Sequence, residues 1–167
     1  MPEFLNPTRI ERKLADPTAL LAHYENAMRQ VGTFFELEWQ PAQKLHVTLM
    51  WSRTLGDWND PILAPMEGPL VLDLATDLRQ HDVFGYAVLN PCTPRAFVLR
   101  IADYRLVSRH MQLQNKGLRS DYSPYEPHIT LAKIPTGLPL DALLKFGDRL
   151  EVFREPIELG PEIRRLP

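Results

Sequence analysis

Cysteine is almost missing from this chain: Cys92 is the only one in 167 residues. No disulfide can form within the chain, so a reducing compartment is expected. Cys92 sits among Asn90, Pro91, Thr93 and Pro94 with no histidine beside it, which argues against a nucleophilic role. Glycine is scarce as well, eight against sixteen prolines, and this predicts connections shaped by fixed φ angles. Nowhere do 18 consecutive apolar residues occur, and the residues after Met1 carry no basic stretch leading into an apolar one. Neither a membrane span nor a secretory leader is therefore expected, and the expected location is the cytoplasm. Charge of one sign is also lacking, since the formal net charge is -2. Without a basic field a long polynucleotide is a poor partner, whereas a small anion needs only a few local donors.

What is present reads as a globular protein. Apolar residues make up 44% and charged residues 24%, and 167 residues suit one domain spanning 1–167. Asp16, Pro17 and then Leu20, Leu21, Tyr24, Ala27, Met28 and Val31 predict a helix over 17–31, stopped by Gly32. A second helix is predicted from Tyr104 to Lys116, capped by Asp103 and ended by Gly117. Strand character marks Leu45 to Trp51, Leu70 to Leu78, Phe84 to Leu89, Ala96 to Ile101, Ile129 to Ile134 and Leu150 to Ile157, with Thr8 to Leu14 as a further candidate. Segments 52–69 and 117–127 read as loops. Many strands interrupted by few helices indicate an α+β domain.

One pattern occurs twice. Leu45-His46-Val47-Thr48-Leu49 and Pro127-His128-Ile129-Thr130-Leu131 share the order His, β-branched residue, Thr, Leu. In a strand, residues i and i+2 share a face, so each copy presents an imidazole beside a hydroxyl while Val or Ile and Leu turn to the core. If the two strands meet, two imidazoles can flank one phosphate, one taking a proton from the attacking oxygen and the other giving one to the leaving oxygen. The two hydroxyls would then hold the non-bridging oxygens. A single copy would most simply be an ordinary strand; the repeat is what points to chemistry. Neither copy has a second His, Cys or Asp at ligand spacing, so no metal and no other cofactor is expected.

The paired motifs resemble the signature of the two-histidine phosphoesterase superfamily. That resemblance implies a two-lobed, pseudo-symmetric β-sheet fold with helices packed on the outer faces. It also implies a metal-independent phosphodiesterase with His46, Thr48, His128 and Thr130 as its catalytic set. Four further stretches look most like the phage anti-CBASS phosphodiesterases, which act on cyclic oligonucleotides: Arg12-Lys13-Leu14, the run from His46 to Trp58, the run from Arg109 through Tyr122 to Thr130, and Leu159-Gly160-Pro161-Glu162. The implied partner is a cyclic di- or oligonucleotide such as cyclic GMP-AMP, with RNA 2′,3′-cyclic phosphodiesterase activity or non-catalytic nucleotide sequestration as alternatives. The pattern fixes no oligomeric state. An aromatic expected just before Arg12 is replaced by Thr8, Arg9 and Ile10, so base stacking has to come from elsewhere.

Four residues near the motifs are candidates for substrate binding. Trp58, Tyr122 and Tyr125 fall in predicted loops and could stack on a base, although Trp58 could equally anchor its loop. Arg109 could contact phosphate, against the common alternative of a solvated helix arginine. His110 lies on the apolar stripe of its helix and reads as a hydrogen-bonded core residue. Lys133, by strict alternation, faces away from His128 and Thr130.

Overall fold

The computed structural model describes residues 7–30, 37–54, 56–72, 81–84, 95–120, 124–135, 150–151 and 153–166. Among these residues, eight strands and two α-helices run in the order β1 (Thr8–Leu14), α1 (Pro17–Gln30), β2 (Glu38–Trp39), β3 (His46–Ser52), β4 (Leu70–Leu72), β5 (His81–Phe84), β6 (Arg95–Arg100), α2 (Tyr104–Asn115), β7 (His128–Ile134) and β8 (Ile157–Arg165). The fold is mixed α and β, as expected. The strand order is β4-β8-β1-β3-β7-β6-β5, with β2 lying along β7, and every described pairing is antiparallel.

Both helices follow the sequence signals. Pro17 opens α1, whose Leu20, Leu21, Tyr24 and Met28 are buried. Asp103 caps α2 by accepting from the Arg105 amide, and Gly117 beyond its end takes φ +95°, a conformation costly for side chains with a Cβ. Buried side chains of both helices join Val47, Leu49, Ile129 and Leu131 in one apolar core. The helices therefore cover one face of the sheet. The motif histidines and threonines, by alternation, belong to the other.

The last predicted strand is displaced. The sequence places it at Leu150 to Ile157, but the strand begins at Ile157 and runs to Arg165, through Gly160 and Pro161. Pro161 is tolerated because the register between β1 and β8 shifts there, between Arg12 and Leu14. The Arg12 guanidinium fills this irregularity, donating to the carbonyls of Gly160 (2.8 Å) and Gly68 (2.7 Å). Much of the predicted Leu70 to Leu78 and Phe84 to Leu89 strands, and Cys92, lie outside the described residues.

Candidate active site

β3 and β7 touch at one pair, Val47 opposite Ile129. Extending that antiparallel register by one residue sets His46 level with Thr130 and Thr48 level with His128. The two motifs therefore meet head to tail, four polar side chains in a square on one face. All four are half-buried. Beyond the square the strands part, because β2 takes the edge of β7, pairing Trp39 with Ala132 and Glu38 with Lys133.

Each strand carries a bulge at the same place. Glu11 pairs with Thr48 but Ile10 with Met50, so Leu49 is the extra residue in β3. Val98 pairs with Thr130 but Phe97 with Ala132, so Leu131 is the extra residue in β7. A bulge reverses the alternation that follows it. Two adjacent apolar residues are thereby buried in each copy, Leu49 with Met50 and Leu131 with Ala132. The residue after them returns to the motif face, Trp51 in one copy and Lys133 in the other. This corrects the expectation for Lys133, which shares the face of His128 and Thr130.

The carbonyls beside the first bulge are held from outside the sheet. The Tyr125 hydroxyl donates to the Thr48 carbonyl at 2.8 Å, and the His110 Nδ1–H donates to the Leu49 carbonyl at 2.6 Å. The two rings stack on each other, centroids 4.0 Å apart and 7° from parallel. His110 is thus the buried, hydrogen-bonded residue its position in α2 predicted. At the second bulge the Gln40 amide donates to the Leu131 carbonyl at 2.9 Å.

Both motif imidazoles are oriented alike. His46 Nδ1 lies 2.7 Å from the Lys44 carbonyl and His128 Nδ1 lies 2.7 Å from the Glu126 carbonyl. A carbonyl only accepts, so each Nδ1 carries the hydrogen and each Nε2 is the atom for proton transfer. Burial holds the His128 imidazole below the ordinary histidine range, and a positive charge on His46 pushes it the same way.

The flanking strands add charge. Lys13 of β1 is paired with His46, and Arg100 of β6 is paired with His128, placing one cation beside each imidazole. Glu11, paired with Thr48, is 1% exposed; it accepts a hydrogen bond from Arg165 Nε at 2.9 Å, and its other oxygen lies 2.8 Å from Arg9 Nε as an ion pair without a hydrogen bond. One of its oxygens is 3.7 Å from His46 Nε2. Sequence reading missed Glu11. The signal was alternation in β1, where Arg9, Glu11 and Lys13 occupy one face.

Of the four substrate-binding candidates, the geometry gives three other work. Arg109 is buried and spends its donors within the protein: Nε and Nη2 bind Glu162 at 2.7 and 3.0 Å, Nη1 donates to the Ile62 carbonyl and, more weakly, to Gln112, and Nη2 also donates to the Ala64 carbonyl. It ties α2 and segment 62–66 to β8 and has no hydrogen left for a phosphate. Trp58 packs against the apolar core, and Arg164 lies over its ring at 4.7 Å. Arg164 pairs with Ile10, a core residue, so Trp58 sits on the side of the sheet away from the square. Tyr125 braces β3 through its hydroxyl. Tyr122 lies outside the described residues.

Residues 19–163 match the family described as anti-CBASS protein Acb1. A curated relative, the anti-CBASS protein Acb1 of Sphingomonas paeninsulae, is 25% identical over 132 residues, covering 74% of this chain. The match takes up 18% of that relative's length, so this chain corresponds to a small part of it. Among solved structures, TT0787 of Thermus thermophilus is similar with a TM-score of 0.45 and 17% identity, covering 93% of this chain and 83% of the other.

Proposed function

This chain belongs to the anti-CBASS protein Acb1 family, and we propose that it acts as a metal-independent phosphodiesterase on the 3′-5′ linkages of cyclic di- or oligonucleotides such as cyclic GMP-AMP. In that reading the chain works as a single domain of two pseudo-symmetric lobes, in the host cytosol, as a phage enzyme that blunts CBASS signalling. The observation that carries it is the square of His46, Thr130, Thr48 and His128, in which two imidazoles and two hydroxyls converge on one face.

The chemistry follows from those four groups. A phosphate seated over the square receives hydrogen bonds from the Thr48 and Thr130 hydroxyls at its non-bridging oxygens, where charge must be stabilised. The neighbouring ribose 2′-hydroxyl is already held close to phosphorus and is the most available nucleophile. One imidazole takes its proton and the other protonates the departing 5′ oxygen. The products are a 2′,3′-cyclic phosphate and a 5′-hydroxyl, and water can open the former by the same two groups in exchanged roles.

The test is turnover of purified protein on cyclic dinucleotides, cyclic trinucleotides, 2′,3′-cyclic mononucleotides and a cyclic dinucleotide of 2′-deoxyribose, with products separated by chromatography. Cleavage of the ribose cyclic dinucleotides or trinucleotides, with the deoxy analogue bound but intact, supports the reading. Rapid cleavage of the deoxy analogue removes the 2′-hydroxyl as nucleophile. Binding without any cleavage would make the protein a sequestering one, and cleavage confined to 2′,3′-cyclic mononucleotides would make it an RNA-end enzyme.

A further inference from the structure

The two halves of the square correspond at several positions. Lys13 stands beside His46 as Arg100 stands beside His128, and a bulge follows each threonine. The strand partner of Thr48, however, is Glu11, and the strand partner of Thr130 is Val98. One half carries a carboxylate where the other carries an isopropyl group.

That carboxylate is aimed. Arg165 of β8 holds one of its oxygens by a hydrogen bond from Nε at 2.9 Å, and the other oxygen, beside Arg9 Nε at 2.8 Å without a hydrogen bond, reaches within 3.7 Å of His46 Nε2. Because the Nδ1–H of His46 is spent on the Lys44 carbonyl, only Nε2 can face Glu11. An ionised carboxylate accepts and never donates, so its ion pair with His46 needs the doubly protonated ring. The charged groups around His46 are Glu11, Lys13 and Arg9 on β1, Arg165 on β8 and His128 on β7. Around His128, among the described residues, they include Arg100 on β6, Glu126 in the segment leading into its own strand, Lys133 further along that strand, and His46 on β3. Lys13 and Arg100 balance across the square, and Arg9 and Arg165 are paired to Glu11 itself. The buried carboxylate of Glu11 lies within 3.7 Å of the His46 Nε2, where its strand counterpart beside Thr130 is the uncharged Val98.

Resting on the 2′-hydroxyl reading above, we infer that Glu11 breaks the symmetry of the site and assigns the roles, holding protonated His46 as general acid and leaving His128 as general base. The bond from the 2′ oxygen to phosphorus forms as His128 Nε2 takes the hydroxyl proton. The bond from phosphorus to the 5′ oxygen breaks as His46 Nε2 gives its proton to that oxygen. The shared protons return to their starting places when water opens the cyclic phosphate in the reverse sense. Glu11 is a positioning residue here, acting through His46 without touching substrate.

A sulfur in place of the bridging 5′ oxygen separates the roles, because a thiolate departs without being protonated. The experiment compares cyclic GMP-AMP with its analogue carrying sulfur at both 5′ bridging positions. His46→Ala should lose about 10²-fold to 10⁴-fold on the oxygen substrate, the usual worth of a general acid, and regain most of it on the sulfur one. His128→Ala should lose comparably on both. Glu11→Gln should follow His46→Ala in pattern, with a loss of at least about 10-fold on oxygen that shrinks on sulfur. Equal loss of Glu11→Gln on both substrates would make Glu11 merely structural and overturn the inference. Rescue of His128→Ala by sulfur in place of His46→Ala would reverse the assignment, and this pair remains decisive if Glu11→Gln does not fold. Wild-type protein inactive on both substrates would overturn the functional reading and the assignment with it, whereas turnover without selective rescue overturns the assignment alone.

Discussion

Replacing Tyr125 by Phe removes one oxygen and tests whether the first bulge is held from outside the sheet. The ring stays, so its stack on His110 at 4.0 Å stays, but the Thr48 carbonyl loses the hydroxyl at 2.8 Å. A neutral hydrogen bond contributes about 1 kcal/mol net, and a carbonyl left without a partner raises the loss to about 3 kcal/mol. For a chain of this length each kcal/mol corresponds to about 2–4 °C in Tm. Thr48 carries both this carbonyl and a phosphate-binding hydroxyl. Loosening the bulge therefore displaces a group that must be positioned within about 1 Å, and kcat should fall by about 10-fold to 10²-fold with KM little changed. Thermal melting and steady-state turnover on cyclic GMP-AMP measure both quantities. A normal Tm with a raised KM would refute the bracing role and return Tyr125 to the substrate contact expected from its place in the sequence. Wild-type values for both would show that the bond carries nothing.

Arg109→Met should destabilise by about 3–5 kcal/mol, because it leaves the buried Glu162 carboxylate without its guanidinium; chemical denaturation measures this, and an unchanged midpoint would refute the structural role. Thr48→Ala and Thr130→Ala should each cost about 10²-fold to 10³-fold in rate, as for loss of one oxyanion donor, and a double variant with normal turnover would remove the phosphate cradle. His110 and His128 are both held below the ordinary histidine range chiefly by burial, so below a pH of about 6.5 the unfolded chain takes up protons that the folded chain resists. Stability should accordingly fall as pH drops through that value and be insensitive to these two groups above it, which melting across pH 5 to 8 would show. Because two imidazoles can supply both proton transfers without a metal, turnover should survive exhaustive chelation; loss with EDTA and recovery with a divalent ion would refute the metal-free reading.

The helices and most strands were legible because their signals are local: Pro17 at a first turn, Gly117 past a last one, and runs of β-branched residues with period two. The paired motifs were legible for the same reason, since two His-x-Thr-Leu runs need no tertiary knowledge to be seen. Trp58 and Arg109 were misjudged because nearness in sequence to a motif says nothing about which side of a sheet a loop or helix covers. Arg109 lies 19 positions before His128 yet is committed to Glu162, 53 positions away, an ion pair that no local pattern announces. In the sequence, Arg12 and Glu162 stand out only as parts of two separate stretches resembling a family. Their pairing across β1 and β8 gives those stretches a physical reason, the joining of the last strand to the first.

Lys133 shows where strict alternation fails and what would have corrected it. Period two requires every second residue to face the core, and both motifs break that rule at the same step, with Leu49 followed by Met50 and Leu131 by Ala132. Two adjacent apolar residues just after the threonine can both be buried only if the strand carries an extra residue. A bulge was therefore written in the sequence twice, in register with the chemistry. Its effect is to bend each strand immediately beyond the threonine while leaving His, spacer and Thr in regular β geometry. The regular part keeps imidazole and hydroxyl on one face, and the bend returns Trp51 and Lys133 to that same face at the rim of the square. The repeat is thus a repeat of backbone shape as much as of side chains. Glu11 against Val98 is then a departure from equivalence, and it places a buried carboxylate beside the His46 imidazole.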